Sequence, residues 1–132
     1  MKDTTGYIYL AIKTENKSID LEWFNSHLTI KPTTFSKMFE KGKIPVCTSW
    51  EYSSGNFTNP FYADEIAKLI SKLSNHTSEF LKLKSENPEF HFVFEVVMYL
   101  GDETPGLSFD KQTLQFLNTI GAEIDCDIYN SK

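Results

Sequence analysis

Phe90-His91-Phe92-Val93-Phe94-Glu95-Val96-Val97-Met98-Tyr99-Leu100 decides the fold. Phe90, Phe92, Phe94, Val96, Met98 and Leu100 are wholly apolar and share one face of an extended chain. His91, Val93, Glu95, Val97 and Tyr99 make a mixed second face. That pattern predicts a strand near the middle of a sheet, with its apolar face on the core.

C-terminal to this strand, residues 101–106 read as a turn segment. Ser108 is placed to cap a helix with Leu114, Leu117 and Ile120 inward and Gly121 as its C-terminal stop. Ala122-Glu123-Ile124-Asp125-Cys126-Asp127-Ile128-Tyr129 then alternates strictly. It predicts a strand with Ile124, Cys126 and Ile128 facing in and Glu123, Asp125, Asp127 and Tyr129 facing out. A helix between these last two strands implies a right-handed parallel crossover.

On the N-terminal side, Gly6-Tyr7-Ile8-Tyr9-Leu10-Ala11-Ile12-Lys13 alternates in the same way. Ile8, Leu10 and Ile12 go to the core, and Tyr7 and Tyr9 go to the other face. Asp20 is the expected N-cap of a helix whose buried stripe is Leu21, Phe24 and Leu28, with Ile19 stapled onto Phe24. Pro32 stops it. Residues 31–46 read as a long loop with one helical turn, pinned by Phe35, Met38 and Phe39. Residues 48–53 read as a strand, with the side taken by Trp50 and Tyr52 left open. A helix starting at Asn59-Pro60 carries Ile66, Leu69, Ile70 and Leu73, and runs to about Lys84 or breaks once near Asn75.

The expected order is β-α-β-α-β-α-β in one domain spanning residues 1–132. Amphipathic strands put all helices on one side. The fold expected is therefore α+β: a two-layer sandwich with a mixed or antiparallel sheet of at least four strands, helices packed on one face, broadly ferredoxin-like.

The order and spacing of these segments resemble the family called domain of unknown function 4279. The resemblance is carried by Tyr7 to Ile12, Ile30-Lys31-Pro32-Thr33, Lys41-Gly42-Lys43, Thr48-Ser49-Trp50 and Pro105-Gly106-Leu107-Ser108. The block from Leu114 through Gly121 to the Asp125-Cys126-Asp127-Ile128-Tyr129 strand is the most specific, with Cys126 where an aliphatic residue is expected. The resemblance implies a small bacterial cytosolic domain without an established activity. It also implies kinship with proteins that include candidate toxin-immunity factors.

Composition narrows the function. The 132 residues carry 13 lysines, no arginine and 18 acids, for a net charge of −5. Residues 1–46 carry +2, residues 47–100 carry −3 and residues 101–132 carry −4. An acidic chain lacks the basic patch of a nucleic-acid reader. Without arginine it has no bidentate fork for phosphate or carboxylate. No apolar run is long enough to span a membrane, and residues 1–6 lack a signal peptide's apolar core. Two cysteines, Cys47 and Cys126, suit free thiols in a reducing cytoplasm. No nucleophile elbow, phosphate loop or dinucleotide fingerprint is present, and His27, His76 and His91 lack ligand spacing.

The remaining candidates are surfaces. Glu123, Asp125 and Asp127 lie about 6.6 Å apart in steps of two along one strand face. They can hold a hard cation or a basic partner, or simply solvate an edge strand. No second element visibly converges on them, so no metal and no cofactor is expected. Tyr7, Tyr9, Tyr99 and Tyr129 fall on the same open side, and Trp50 is grouped with them. Aromatic rings between acids make a recognition surface, or else a small second core beneath residues 31–46.

The expected function is thus a non-enzymatic protein-interaction module with a protein partner and neither nucleic acid nor membrane. A toxin-neutralising immunity protein that masks a basic toxin is its most concrete form. The expected partner-binding set is Tyr7, Tyr9, Trp50, Tyr99, Glu123, Asp125, Asp127 and Tyr129. The alternative is a small-ligand binding domain with a pocket between residues 31–46 and the sheet.

Overall fold

A computed structural model describes residues 2–130. Five strands form one sheet: β1 (Thr5–Thr14), β2 (Thr34–Ser36), β3 (Thr48–Ser53), β4 (His91–Leu100) and β5 (Glu123–Asn130). Four helices accompany them: α1 (Leu21–His27), α2 (Tyr62–Leu73), α3 (Thr77–Glu86) and α4 (Lys111–Thr119). The strand order is β2-β3-β1-β4-β5. All neighbours are antiparallel except β4 and β5, which run parallel through the α4 crossover.

The alternation in β1 and β4 becomes the two faces of the sheet. Ile8 pairs with Val96, Leu10 with Phe94 and Ile12 with Phe92. These residues are 0–1% exposed and form one core with Phe24, Tyr62, Ile66, Leu69, Phe80, Phe116 and Leu117 from the helices. The helices therefore make one layer over the even-numbered face of β1 and β4. The result is the two-layer α+β sandwich that the amphipathic strands require.

Several local details differ from expectation. Residues 31–46 contribute an edge strand, β2, with Phe35 opposite Trp50 and its ring 5.9 Å from Phe24. Three residues are too few to show a period, so the strand is silent in the sequence. The segment is held on the helix-layer side, where Lys37 Nζ donates to the Lys17 and Ile19 carbonyls at 2.7 and 2.8 Å. Met38 is buried, while Phe39 is exposed under the Lys17 ammonium.

The long helix breaks at a 3₁₀ turn, Ser74–His76, between α2 and α3. It starts at Tyr62, not at Pro60, because Asn59 Oδ1 accepts from Phe61 N at 2.9 Å and holds residues 59–61 in a turn. Asp110, not Ser108, caps α4: its carboxylate accepts from Thr113 N at 2.8 Å. Asp20 caps α1 as expected, accepting from Trp23 N at 2.9 Å. Leu21 and Leu114 are exposed: α1 buries Phe24, and α4 turns Thr113, Phe116 and Leu117 inward, which leaves Leu114 off the buried stripe. Leu83 is buried on α3, while Leu81 is exposed.

Gly121 follows α4 with φ +72°. Ala122 N donates to Leu117 O and Gly121 N to Asn118 O, the two bonds of a Schellman stop. The chain leaves this turn directly into β5. Gly6 is required for a different reason. A Cβ there would lie 2.1 Å from Tyr62 Oη and 2.2 Å from the Val97 carbonyl oxygen. Its absence lets the Tyr62 hydroxyl come close to β1 and donate to the Thr5 and Val97 carbonyls.

Candidate functional site, an acidic and aromatic sheet face

The odd-numbered face of β1 and β4 carries no helix. Register brings its residues into rows. Ser53, Tyr9, Glu95 and Asp125 form one row, and Tyr7, Val97 and Asp127 the next. Tyr99 and Tyr129 lie opposite each other beyond them. Tyr7 stacks on Tyr9 at 5.9 Å and Tyr99 on Tyr129 at 5.2 Å between ring centroids. Both Tyr99 and Tyr129 remain exposed, and Tyr7 and Tyr9 are half-buried. No second core covers these rings, because residues 31–46 pack toward β3 and the chain ahead of α1.

The carboxylates meet in the middle of this face. One oxygen from each of Glu95, Asp125 and Asp127 lies within 4.8 Å of the others. The parallel register places Glu95 beside Asp125 and Val97 beside Asp127. Glu95 is 5% exposed, and its Oε2 is buried without a hydrogen-bond partner. Burial first, then the proton-sharing and negative charge of Asp125, push the Glu95 carboxyl up to about 7; Lys13 pulls it the other way. Tyr9 is pushed up by burial and by the charges of Glu95 and Glu51. Tyr7 is raised by burial and by Tyr99. Among the described strand residues of this face, Lys13 is the one lysine, against Glu51, Glu95, Glu123, Asp125 and Asp127.

The sequence-derived set is therefore brought together with two corrections. Trp50 does not belong to it. Trp50 lies opposite Ile12 on the helix side and is fully buried, with its ring 6.1 Å from Phe80. Register, which the isolated segment cannot reveal, fixes that side. Glu123 stands apart from the acidic cluster and approaches His91 Nε2 at 3.7 Å. Its place is taken by Glu95 from the neighbouring strand. Glu95 was visible as an acid on a mixed face, but its convergence with β5 depends on strand adjacency.

β5 itself is exposed on both faces. Ile124, Cys126 and Ile128 point toward the helix side, as alternation predicts, but they are not covered. The helix layer ends over β4, so facing inward here does not mean burial. Burial and the nearby Asp125 and Asp127 raise the Cys126 thiol above its ordinary value.

The other histidines lie away from this face, on α1 and on the 3₁₀ turn. His27 stacks on Trp23 at 3.8 Å, and His76 lies 3.5 Å from Glu79. A concavity of about 500 Å³ opens at one end of the sheet, lined by Lys13, Glu15, Asn16, Cys47, Glu89 and His91; no residue of 31–46 lines it.

Fold and site define a class: a two-layer α+β domain with one sheet face left open, acidic at its centre and flanked by tyrosines. The family described as "Domain of unknown function (DUF4279)" matches residues 4–131, and the chain belongs to that family. No curated protein and no solved structure matches the chain. Among the described residues, no helix is long and apolar enough to cross a membrane.

Proposed function

We propose that this chain is a non-enzymatic interaction module of the bacterial cytoplasm that docks a basic protein partner on its open sheet face. A toxin-neutralising immunity protein is the concrete form of this reading. The observation that carries it is the convergence of Glu95, Asp125 and Asp127 within 4.8 Å, amid Tyr7, Tyr9, Tyr99 and Tyr129 on an uncovered face. Tyrosines supply large rigid contact area at low entropic cost, and the acids orient and attract a cationic partner. Because the chain has no arginine, any guanidinium at such an interface comes from the partner.

The test pairs the protein with the product of the adjacent gene. The wild type is expected to bind that product and suppress its toxicity on co-expression. Asp125→Ala/Asp127→Ala should fold normally and bind at least about tenfold more weakly, equivalent to about 1.4 kcal/mol. A folded double variant with undiminished affinity would overturn the acidic-face reading.

A further inference from the structure

We infer that Glu95, Asp125 and Asp127 form a site for a hard divalent cation of calcium size, held between β4 and β5. This goes beyond partner docking and does not depend on it. Three observations combine. The donors are all carboxylate oxygens, the set that hard cations select. They come from two strands whose parallel register fixes their spacing, so the site is built by the sheet and not by one run of sequence. All three oxygens lie within 4.8 Å of one another, close enough for one ion with oxygen bonds of about 2.4 Å to reach each of them.

Burial supplies the independent pointer. Glu95 is 5% exposed and its Oε2 has no partner, although it lies among two further carboxylates. A buried carboxylate oxygen without a donor is costly, and two like charges beside it add to that cost. A divalent ion at this point satisfies the oxygen and neutralises the cluster together. Asp125 is exposed and Asp127 half-buried, so the outer side of the ion stays open to water ligands. Softer donors are excluded from the set. Cys126 points to the opposite face of β5, and the His91 ring is directed to Glu123.

Terbium serves as the probe, because nearby tyrosines sensitise its luminescence and it takes calcium sites. Chelator-treated protein is titrated with Tb³⁺, then with Ca²⁺ and Mg²⁺ as competitors, and the heat of Ca²⁺ binding is measured directly. The expected result is a saturable one-site signal excited through tyrosine and displaced by Ca²⁺ more readily than by Mg²⁺. Asp125→Asn/Asp127→Asn, on exposed and half-exposed positions, should weaken it at least about tenfold through lost ligand charge, as should Glu95→Gln. Glu86→Gln, on α3, should leave it unchanged. No saturable signal or heat up to about millimolar Ca²⁺ would overturn the site. Unaltered affinity in the folded double variant would do the same. The cation is read on the purified protein alone, so its failure leaves partner docking standing, and the reverse holds too.

Discussion

Glu95 is the residue on which most of the chemistry turns. Its folded carboxyl titrates near 7, raised by burial and by Asp125. The unfolded chain gives up that proton near 4.5, so between these values the native state binds more protons than the unfolded one. Stability of the cation-free protein therefore falls as pH rises from about 4.5 to about 7, and levels off above. The contribution is at most about 3 kcal/mol. Glu65 and Glu79 are shifted downward and act in the opposite sense at lower pH. The difference between wild type and Glu95→Gln isolates the effect. Urea midpoints measured at steps of pH should converge or cross over this window, and parallel curves would show that Glu95 keeps an ordinary carboxyl. At this scale the sequence told half the story. Asp125, Asp127, Tyr7, Tyr9, Tyr99 and Tyr129 were assigned to one face by alternation alone. Alternation puts Glu95 on this face without linking it to β5 and leaves the side of Trp50 open, so grouping Trp50 with the open face fails; both depend on register.

At the scale of elements, close approach matters more than propensity. Gly6 sits where β1 meets Tyr62, and the Val97 carbonyl that crowds it belongs to the β1–β4 ladder. Gly6→Ala must push either the ring or a backbone hydrogen-bonded to its neighbour, and overpacking of this kind costs about 1–3 kcal/mol. Gly106→Ala, with open space around the site, should change stability by less than about 1 kcal/mol. Denaturant unfolding of the two variants checks the contrast; equal effects would sink the argument. Strands were legible because apolar residues recur at every second position along β1, β4 and β5. The start of α1 at Asp20 was legible too, but the starts of α2 and α4 were not. Ser108 and Pro60 are good signals, but Asp110 and Asn59 made better hydrogen bonds nearby. β2 is too short to leave a pattern.

At the scale of the whole molecule, the net charge of −5 resolves into a directed field. The surplus gathers on one uncovered face, where five acids face one strand lysine among the described residues. A cationic partner should accordingly associate quickly at low salt. Raising the ionic strength from about 0.01 M to about 0.15 M shortens the screening length from about 30 Å to about 8 Å. The association rate should fall steeply, while the dissociation rate changes little. Stopped-flow mixing at several salt concentrations tests this, and a salt-independent association rate would count against electrostatic steering. The two-layer architecture was readable because amphipathic strands admit helices on one side only. The incomplete cover over β5 was not readable, since its apolar face looks the same whether or not a helix reaches it.

The ends of the sheet carry a practical corollary. Thr5 opens β1 opposite Tyr99, and Asn130 ends β5 opposite Leu100, so both flank the same end of β4. Two strand spacings, about 10 Å, separate them. A short linker can therefore bridge Thr5 and Asn130, and the exposed turn at Gly55 offers a place to reopen the chain. The same proximity sets a rule for handling the protein. A group attached near Thr5 or Asn130 lies at the Tyr99 and Tyr129 end of the sheet, whereas a label in the exposed 41–43 turn sits elsewhere.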